Sequence, residues 1–176
     1  IYFSNSIKYF NNFEIVACAD IKPEASKHYA NIYNVENLTI DQILNNEEIE
    51  LIINLTNPDV HFEVSKSIIQ SGKHAYSEKP LSIEFHHGKK LLELSRQKNL
   101  YLGCAPDTFL GAGIQESKKI LSNNTIGNIV LGSISMGVAG HEIWHPNPDF
   151  YYQYGGGPVL DMGPYYFTAL VNLLGP

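Results

Sequence analysis

Short apolar runs bounded by turn-forming residues recur along residues 1–105 of the chain. Runs of this kind are typical of strands that are buried on both faces, as in a parallel sheet. They predict four strands, at residues 14–19, 51–55, 74–77 and 100–105. Apolar side chains at helical spacing, with proline near the starts and glycine or polar residues at the ends, predict intervening helices over residues 23–33, 59–70 and 84–98.

Strands that alternate with helices of this length predict an α/β fold, a doubly wound parallel sheet with right-handed crossovers. The pattern changes after Pro106. A helix is predicted near residues 110–121 and a longer, partly alternating strand over 129–136. An irregular loop at 137–158 and a final apolar helix follow. We therefore expect one domain over residues 1–106 and the beginning of a second over 107–176.

Composition narrows the class of protein and of partner. Of the 176 residues 44% are hydrophobic and 17% charged, which is typical of a globular protein with a real core. The net charge of −6 argues against nucleic acid or an anionic membrane as partner, because both favour a basic surface. Cys18 and Cys104 lie far apart in apolar segments. They predict reduced thiols and a cytoplasmic protein, with a disulfide as the weaker alternative.

Asp20 closes the first predicted strand and is a candidate for cofactor binding. A carboxylate at this position accepts hydrogen bonds from adenosine ribose hydroxyls and repels a 2′-phosphate, which favours NAD over NADP. The alternative is a helix N-cap. The Gly-rich phosphate loop that should precede Asp20 does not occur, and residues 4–10 resemble the end of the helix that would follow such a loop. We therefore expect the loop to lie before Ile1, in a chain cut at both ends.

Two further loops follow predicted strands. Thr56, Asn57, Pro58 and His61 occur where the second strand leads into a helix, and such loops line the ligand crevice of doubly wound sheets. An ordinary turn with an N-cap is the alternative for each of these residues.

Lys79 follows the third strand, between Glu78 and Pro80. Proline restricts the backbone there, and a partly desolvated ammonium could exchange a proton with a substrate hydroxyl or orient that hydroxyl. A surface lysine paired with Glu78 is the alternative interpretation.

The last helix begins with a second group of polar candidates. Asp161 and Tyr165 lie four residues apart, after the glycine run 155–157. The alternative for Asp161 is an N-cap beside Pro164.

The irregular loop supplies His141, Trp144 and His145. We interpret it as a wall of the substrate pocket, with Trp144 against an apolar sugar face and the histidines as polar contacts. Glu142 would complete a metal site with the two histidines. Metal binding is the weaker alternative, because the surrounding glycine and prolines disfavour a regular helix.

Three segments resemble the Gfo/Idh/MocA family of oxidoreductases over essentially the whole chain: Ser-Glu-Lys-Pro at 77–80, Asn-Leu-Thr-Asn-Pro-Asp-Val-His at 54–61, and the glycine run that leads to Asp161. The resemblance implies an NAD-binding Rossmann domain, without its first strand here, followed by the start of an α+β substrate domain with an open sheet. It implies hydride exchange between a nicotinamide and a carbinol of a sugar, polyol or related molecule, often in a homo-oligomer. By resemblance Lys79 and Asp161 act at the substrate, whereas Glu78 and residues 56–58 contact the cofactor.

Tyr165 departs from the commonest form of the family, which carries histidine at the matching position. A phenol titrates near pH 10 and an imidazole near ~6.5, so the exchange is not neutral for a general base. Tyr165 could donate a hydrogen bond to the reacting oxygen, or relay a proton if Lys79 lowers its pKa. Whether Lys79 or Tyr165 takes the hydroxyl proton stays open. Redox-assisted glycoside cleavage, a cofactor-binding regulatory protein and an inactive fragment are the alternatives to a dehydrogenase.

Overall fold

Parallel strand pairing organises the first part of the chain. The structure, a computed structural model, describes residues 8–9 and 11–176. One sheet pairs β1 (Ala17–Cys18) with β2 (Glu36–Asn37). A second sheet has the order β3-β4-β5, with strands Leu51–Asn54, His74–Ser77 and Leu102–Cys104. All pairs are parallel, which confirms the predicted Rossmann-like α/β class.

The register of the second sheet aligns three strand ends. Asn54 lies opposite Ser77, and Ser77 lies opposite Cys104. Because each is the last residue of its strand, the loops that follow all leave from one edge of the sheet. Ligand sites of doubly wound sheets lie at this carboxyl edge.

Seven α-helices are present in the part of the chain that the structure describes beyond residue 10. They are α1 (Pro23–Tyr33), α2 (Ile40–Asn45), α3 (His61–Gln70), α4 (Phe85–Gln97), α5 (Ala112–Ser122), α6 (Pro158–Asp161) and α7 (Gly163–Leu174). Short 3₁₀ turns occupy Pro58–Val60, Thr108–Leu110, His141–Ile143 and Pro148–Tyr152. The predicted helix over 23–33 is confirmed at both ends: proline opens it, and Asn34 closes it in the left-handed region. The expectation for residues 4–10 falls outside the described residues, apart from Lys8 and Tyr9.

Two short elements, β2 and α2, escaped the sequence prediction. Neither contains a buried residue, so neither produces an apolar periodicity. The signal that marks α2 is a capping box. The Thr39 hydroxyl accepts from the Gln42 backbone N–H at 3.2 Å, and the Gln42 side chain accepts from the Thr39 N–H at 2.8 Å.

The strand predicted over residues 129–136 is wrong. Residues 129–140 form neither helix nor strand. Val130 and Leu131 are 95% and 86% exposed. An extended segment becomes a strand only when a neighbour pairs with its backbone, and no described strand pairs with this one. Alternating side chains alone therefore misled the prediction.

The core lies between the three-stranded sheet and helices α3 and α4. Its fully buried centre is formed by Ile68, Ile69 and Leu91, with Phe62 and Ala75 beside them. Cys18 and Cys104 are both free thiols. Among the described helices, none has the length and apolar character needed to cross a bilayer.

Adjacent leucines on α4 test this description of the core. Leu91 is fully buried, whereas Leu92 is 41% exposed. We expect Leu91→Ala to lower the free energy of unfolding by about 2–5 kcal/mol, because it removes buried methyl groups and leaves a cavity. Leu92→Ala should cost less than about 1 kcal/mol. Urea unfolding followed by circular dichroism measures both, and equal losses would contradict the assigned core.

Candidate active site

Lys79 and Asp161 form an ion pair that joins the sheet edge to the end of α6. The Lys79 Nζ donates to the backbone oxygen of Asp161 at 2.7 Å and to the carboxylate Oδ1. The two side chains are only 17% and 24% exposed. The ion pair of Lys79 is thus with Asp161, across 82 positions of sequence, rather than a surface pair with Glu78. The N-cap alternative for Asp161 is wrong, since Met162 holds that position of α7 without a side-chain cap.

The glycine run before α6 brings Asp161 to this position. Gly155 and Gly157 have φ values of 87° and 88°, in the left-handed region that favours glycine. A Cβ at Gly156 would lie 2.5 Å from the backbone oxygen of Tyr151. The chain therefore turns closely over Tyr151 before α6 starts, and the Asp161 N–H closes that helix by donating to the Gly157 oxygen at 2.9 Å.

His141 is the third member of the cluster. Its Nε2 lies 3.5 Å from the second carboxylate oxygen, Oδ2, of Asp161, and its side chain is 11% exposed. The imidazole stacks on the Tyr151 ring with centroids 3.9 Å apart. Asp161 therefore places one carboxylate oxygen on Lys79 and directs the other at His141. The sequence predicts a place for His141 at the substrate, but not its contact with Asp161.

Trp144 and His145 lie on the same loop, further from the ion pair. The Trp144 ring centroid is 5.0 Å from that of His141, and the residue is 65% exposed. The Nδ1 of His145 accepts from the Asn147 backbone N–H at 3.0 Å. Glu142 accepts from the Tyr152 hydroxyl, which lowers the pKa of Glu142 and raises that of Tyr152. No three side chains of the metal-binding types come together within the described residues.

Tyr165 lies against Lys79 but keeps its proton more firmly than a free phenol. The Lys79 Nζ is 5.5 Å from the centroid of the ring. Burial raises the pKa of Tyr165, and the negative charges of Glu78, Asp107 and Asp161 raise it further. A proton relay through Tyr165 would require a lowered pKa, and this condition is not met. Tyr165 is therefore a hydrogen-bond donor at neutral pH.

A buried polar network supports the loop after β3. The Asn54 amide donates to the His61 backbone oxygen at 3.2 Å and to the Ser65 hydroxyl at 3.0 Å. The amide oxygen of Asn54 accepts from the Thr56 N–H at 3.2 Å and from its hydroxyl at 2.6 Å. Asn54 is only 2% exposed, and all its side-chain polar groups are satisfied. Asn54 was not predicted as a functional residue, and its position at a strand end is the signal that could have identified it.

His61 connects this loop to the lysine loop. Its ring nitrogens lie 2.8 Å from the Thr56 oxygen and 2.6 Å from the oxygen of Pro80, which follows a cis peptide bond. The ring is buried and both of its polar atoms face the protein. His61 therefore fixes Thr56 relative to Pro80.

The remaining cofactor candidates lie along the same edge. Asn57 precedes the 3₁₀ turn that Pro58 opens, and the Val60 N–H donates to the Asn57 oxygen at 3.1 Å. The backbone N–H of Glu78 donates to the Asn54 oxygen at 2.9 Å, and its carboxylate accepts from the Lys79 N–H at 2.8 Å. The loops after β3 and β4 are thus hydrogen-bonded side by side.

Asp20 borders a separate cleft of about 430 Å³ at the ends of β1 and β2. Its carboxylate accepts from the Lys22 N–H at 2.8 Å. Lys22, not Asp20, holds the N-cap position of α1. The carboxylate therefore orders the turn before the helix. The cleft is also lined by Pro23, Ser26, Asn37, Leu38, Thr39, Ile40 and Asp41.

Asp107 and Cys104 act on the site but were not predicted to belong to it. Asp107 contributes to the raised pKa of Tyr165. Burial raises the pKa of the Cys104 thiol to about 11. Both residues follow or end β5, so their position at a strand end was the available sequence signal.

The chain is similar to known oxidoreductases. The model of the oxidoreductase family with an NAD-binding Rossmann fold, GFO_IDH_MocA, matches residues 2–105. An uncharacterized oxidoreductase of Schizosaccharomyces pombe is 28% identical over 94% of this chain and 45% of its own length. The dTDP-3,4-didehydro-2,6-dideoxy-alpha-D-glucose 3-reductase of Saccharopolyspora spinosa is 29% identical over 93% of this chain and 49% of its own length.

A solved structure shares the fold. The WlbA dehydrogenase of Bordetella pertussis, in complex with NADH and UDP-GlcNAcA, superposes with a TM-score of 0.83 at 17% identity. The superposition covers 99% of this chain and 51% of the dehydrogenase. The chain thus spans about half the length of each of these three proteins.

The raised pKa of Cys104 predicts a specific alkylation profile. In a Cys18→Ser variant, the rate of iodoacetamide modification should rise about tenfold per pH unit and level off only near pH 11, because the thiolate reacts and the buried thiol resists ionisation. Mass spectrometry measures the rate. The urea-unfolded variant is the control and should level off about two pH units lower. A plateau below pH 9 in the folded protein would contradict the burial of this thiol.

Proposed function

The chain belongs to the Gfo/Idh/MocA family of oxidoreductases, as its motifs predicted, and from this premise we propose a more specific activity. The protein exchanges a hydride between NAD and a carbinol of a sugar, polyol or related small molecule. The observation that supports this activity is the Lys79–Asp161 pair. It holds a largely buried ammonium beside the carboxyl edge of the parallel sheet, where a substrate hydroxyl would meet a bound nicotinamide.

The residues along the carboxyl edge of the sheets have the chemistry needed to bind NAD. The Asp20 carboxylate borders a cleft between two strand ends and suits adenosine ribose hydroxyls. The hydrogen-bonded loops of residues 56–58 and Glu78 would hold the remainder of the dinucleotide along the edge. His61 would act indirectly, by fixing Thr56. When bound, the nicotinamide supplies the redox chemistry by accepting or donating a hydride.

The polar side chains around the ion pair have complementary roles toward the substrate. Lys79 binds the reacting oxygen and exchanges its proton, while Asp161 orients Lys79 and binds neighbouring hydroxyls. Tyr165 donates a hydrogen bond to the same oxygen, since its raised pKa keeps it protonated. Trp144, His141 and His145 form the wall of the pocket, with the exposed indole available to an apolar sugar face.

Charge around the pair is largely balanced within the given sequence. Residues 120–176 contain carboxylates but neither lysine nor arginine. The ammonium of Lys79 is matched by Asp161. Cytoplasmic location, homo-oligomers and a domain boundary near residue 106 stay predictions.

Replacing Lys79 tests the proposed activity. In the complete gene product that contains this chain, Lys79→Met should lower kcat/KM with NAD by about 10²–10⁴-fold, because the proton-exchanging group is lost. The assay follows NADH absorbance across a panel of inositols, aldoses and glycosides. Lys119→Ala is the control, since Lys119 pairs with Glu116 on the exposed face of α5.

Several outcomes would oppose the proposal. Parental rates in Lys79→Met on every active substrate would remove Lys79 from the chemistry. Release of aglycone from a glycoside without net NADH would favour redox-assisted glycoside cleavage. Binding of NADH without turnover of any panel member would favour a cofactor-binding regulatory protein.

Asp20 provides a separate test of cofactor choice. Asp20→Ser should increase the NADP/NAD ratio of kcat/KM by about tenfold or more, because it removes the charge that would repel a 2′-phosphate. Asp41→Asn is the matched comparison, as this carboxylate lines the same cleft. An equal change in both variants would show that only the general potential of the cleft matters, and an unchanged ratio in Asp20→Ser would remove Asp20 from cofactor selection.

A further inference from the structure

His141 is a buried imidazole. In the proposed function it only lines the substrate pocket and takes no part in proton transfer. It is 8% exposed, although its loop is otherwise largely open to solvent. Aromatic rings surround it: Tyr151 stacks on one side at 3.9 Å, and Trp144 and Phe150 lie at centroid distances of 5.0 and 5.9 Å. Such packing fixes the plane of the ring and the direction of its nitrogens.

The direction fixed in this way is toward Asp161. The Nε2 atom lies 3.5 Å from Oδ2, the carboxylate oxygen that Lys79 leaves free. Catalytic hydrogen bonds are often this long in the absence of substrate and shorten when it binds. Asp161 therefore bridges Lys79 and His141, one through each oxygen.

The proposed reaction leaves one proton to be accommodated. Oxidation of a carbinol releases a hydride from carbon and a proton from oxygen. Lys79 held as an ammonium by Asp161 cannot accept that proton until it has lost one of its own. Tyr165 is a poor acceptor, because burial and nearby carboxylates raise its pKa. Imidazole is the side chain whose unperturbed titration falls between pH 5 and 8.

We propose that His141 is the proton acceptor of the Lys79–Asp161 pair and acts through Asp161 as a relay and positioning residue. This inference rests on the proposed dehydrogenase function. The ammonium of Lys79 passes one proton to Oδ1 of Asp161, and rotation of the carboxyl group delivers it to Nε2 of His141. The neutral amine then takes the hydroxyl proton of the substrate.

The step balances in atoms and electrons. The O–H and C–H bonds of the carbinol break and the second bond of the carbonyl forms. The hydride, with its electron pair, goes to the oxidised nicotinamide dinucleotide. The hydroxyl proton stays on Lys79, and the proton that Lys79 gave up stays on His141. Reduction of a carbonyl runs through the same groups in reverse.

Several titratable or charged groups face the imidazole and enter any pH dependence. Asp161 lies on α6, and Tyr151 on the adjoining 3₁₀ turn. Glu142 is the next residue, and its pKa is lowered in part by His141. The His145 ring lies 6.4 Å away, and Lys79 is coupled through Asp161. Of these, Asp161 alone contacts both Lys79 and His141.

The kinetic test uses His141→Gln in the complete gene product, with its best panel substrate and NAD. We expect kcat at pH 7 to fall about 10²-fold with KM changed less than about threefold, because binding groups stay while the acceptor is lost. The deficit should shrink as pH rises, since hydroxide can then replace the imidazole as the proton acceptor. Added imidazole should restore part of the rate. His74→Gln, at the opposite end of β4, is the control.

A second readout is independent of turnover. In cofactor-free protein with ¹⁵N-labelled histidine, Asp161→Asn should shift the Nε2 resonance of His141 and leave that of His74 in place. If His141→Gln does not fold, His141→Phe retains the ring that stacks on Tyr151 and replaces it in the kinetic test.

The experiments distinguish a failure of the dehydrogenase function from a failure of the His141 relay. A parent protein without activity on any substrate overturns the proposed function and the relay with it. An active parent whose His141 variants lose nothing, or lose a constant factor at every pH without imidazole rescue, overturns the relay alone. An unmoved Nε2 resonance in Asp161→Asn also overturns it. A deficit that depends on pH and is rescued by imidazole, with a shifted resonance, supports it.

Discussion

The ion pair between Lys79 and Asp161 is the contact on which the site depends. It connects a strand end of the parallel sheet with a helix that begins some 80 residues later. Both side chains are withdrawn from water over most of their surface, and charges attract more strongly where the effective dielectric is low. The pair therefore does two things at once. It holds the glycine-rich loop against the sheet, and it keeps one ammonium aimed at the carboxyl edge.

The sheet provides the rigid side of this contact. Parallel register places Asn54 beside Ser77, so the loops that follow them start as neighbours. The satisfied amide of Asn54 and the ring of His61 then tie these loops together. Buried networks of this kind rigidify a structure because each unmade bond would be costly. The position of Lys79 is thus fixed by Asn54 and His61. Neither residue contacts the ion pair, and neither is proposed to contact the substrate.

Much of this could be predicted from sequence where local signals were strong. Proline at the first position of α1 marked the start of that helix, and apolar runs marked the strands. The strand-end motif at residues 77–80 marked Lys79, and the glycine run 155–157 marked Asp161. The contact of His141 with Asp161 could not be predicted, because 3₁₀ turns without periodicity set its distance. Residues 129–136 show the complementary failure. Alternating side chains indicate a strand, but they do not show whether another strand pairs with its backbone.

Asp161 contacts both Lys79 and His141, so substitutions at the three residues should have different effects on stability. Removing Asp161 leaves a largely buried ammonium without its counter-charge, which costs on the order of 1–3 kcal/mol of stability in addition to any loss of chemistry. Removing Lys79 is milder, since Oδ2 of Asp161 still faces His141 and the carboxylate is partly open to water. Loss of activity in an Asp161 variant therefore mixes folding with function. Variants of Lys79 and His141, one on each oxygen of the same carboxylate, separate the proton donor from the proton acceptor while the bridge between them remains.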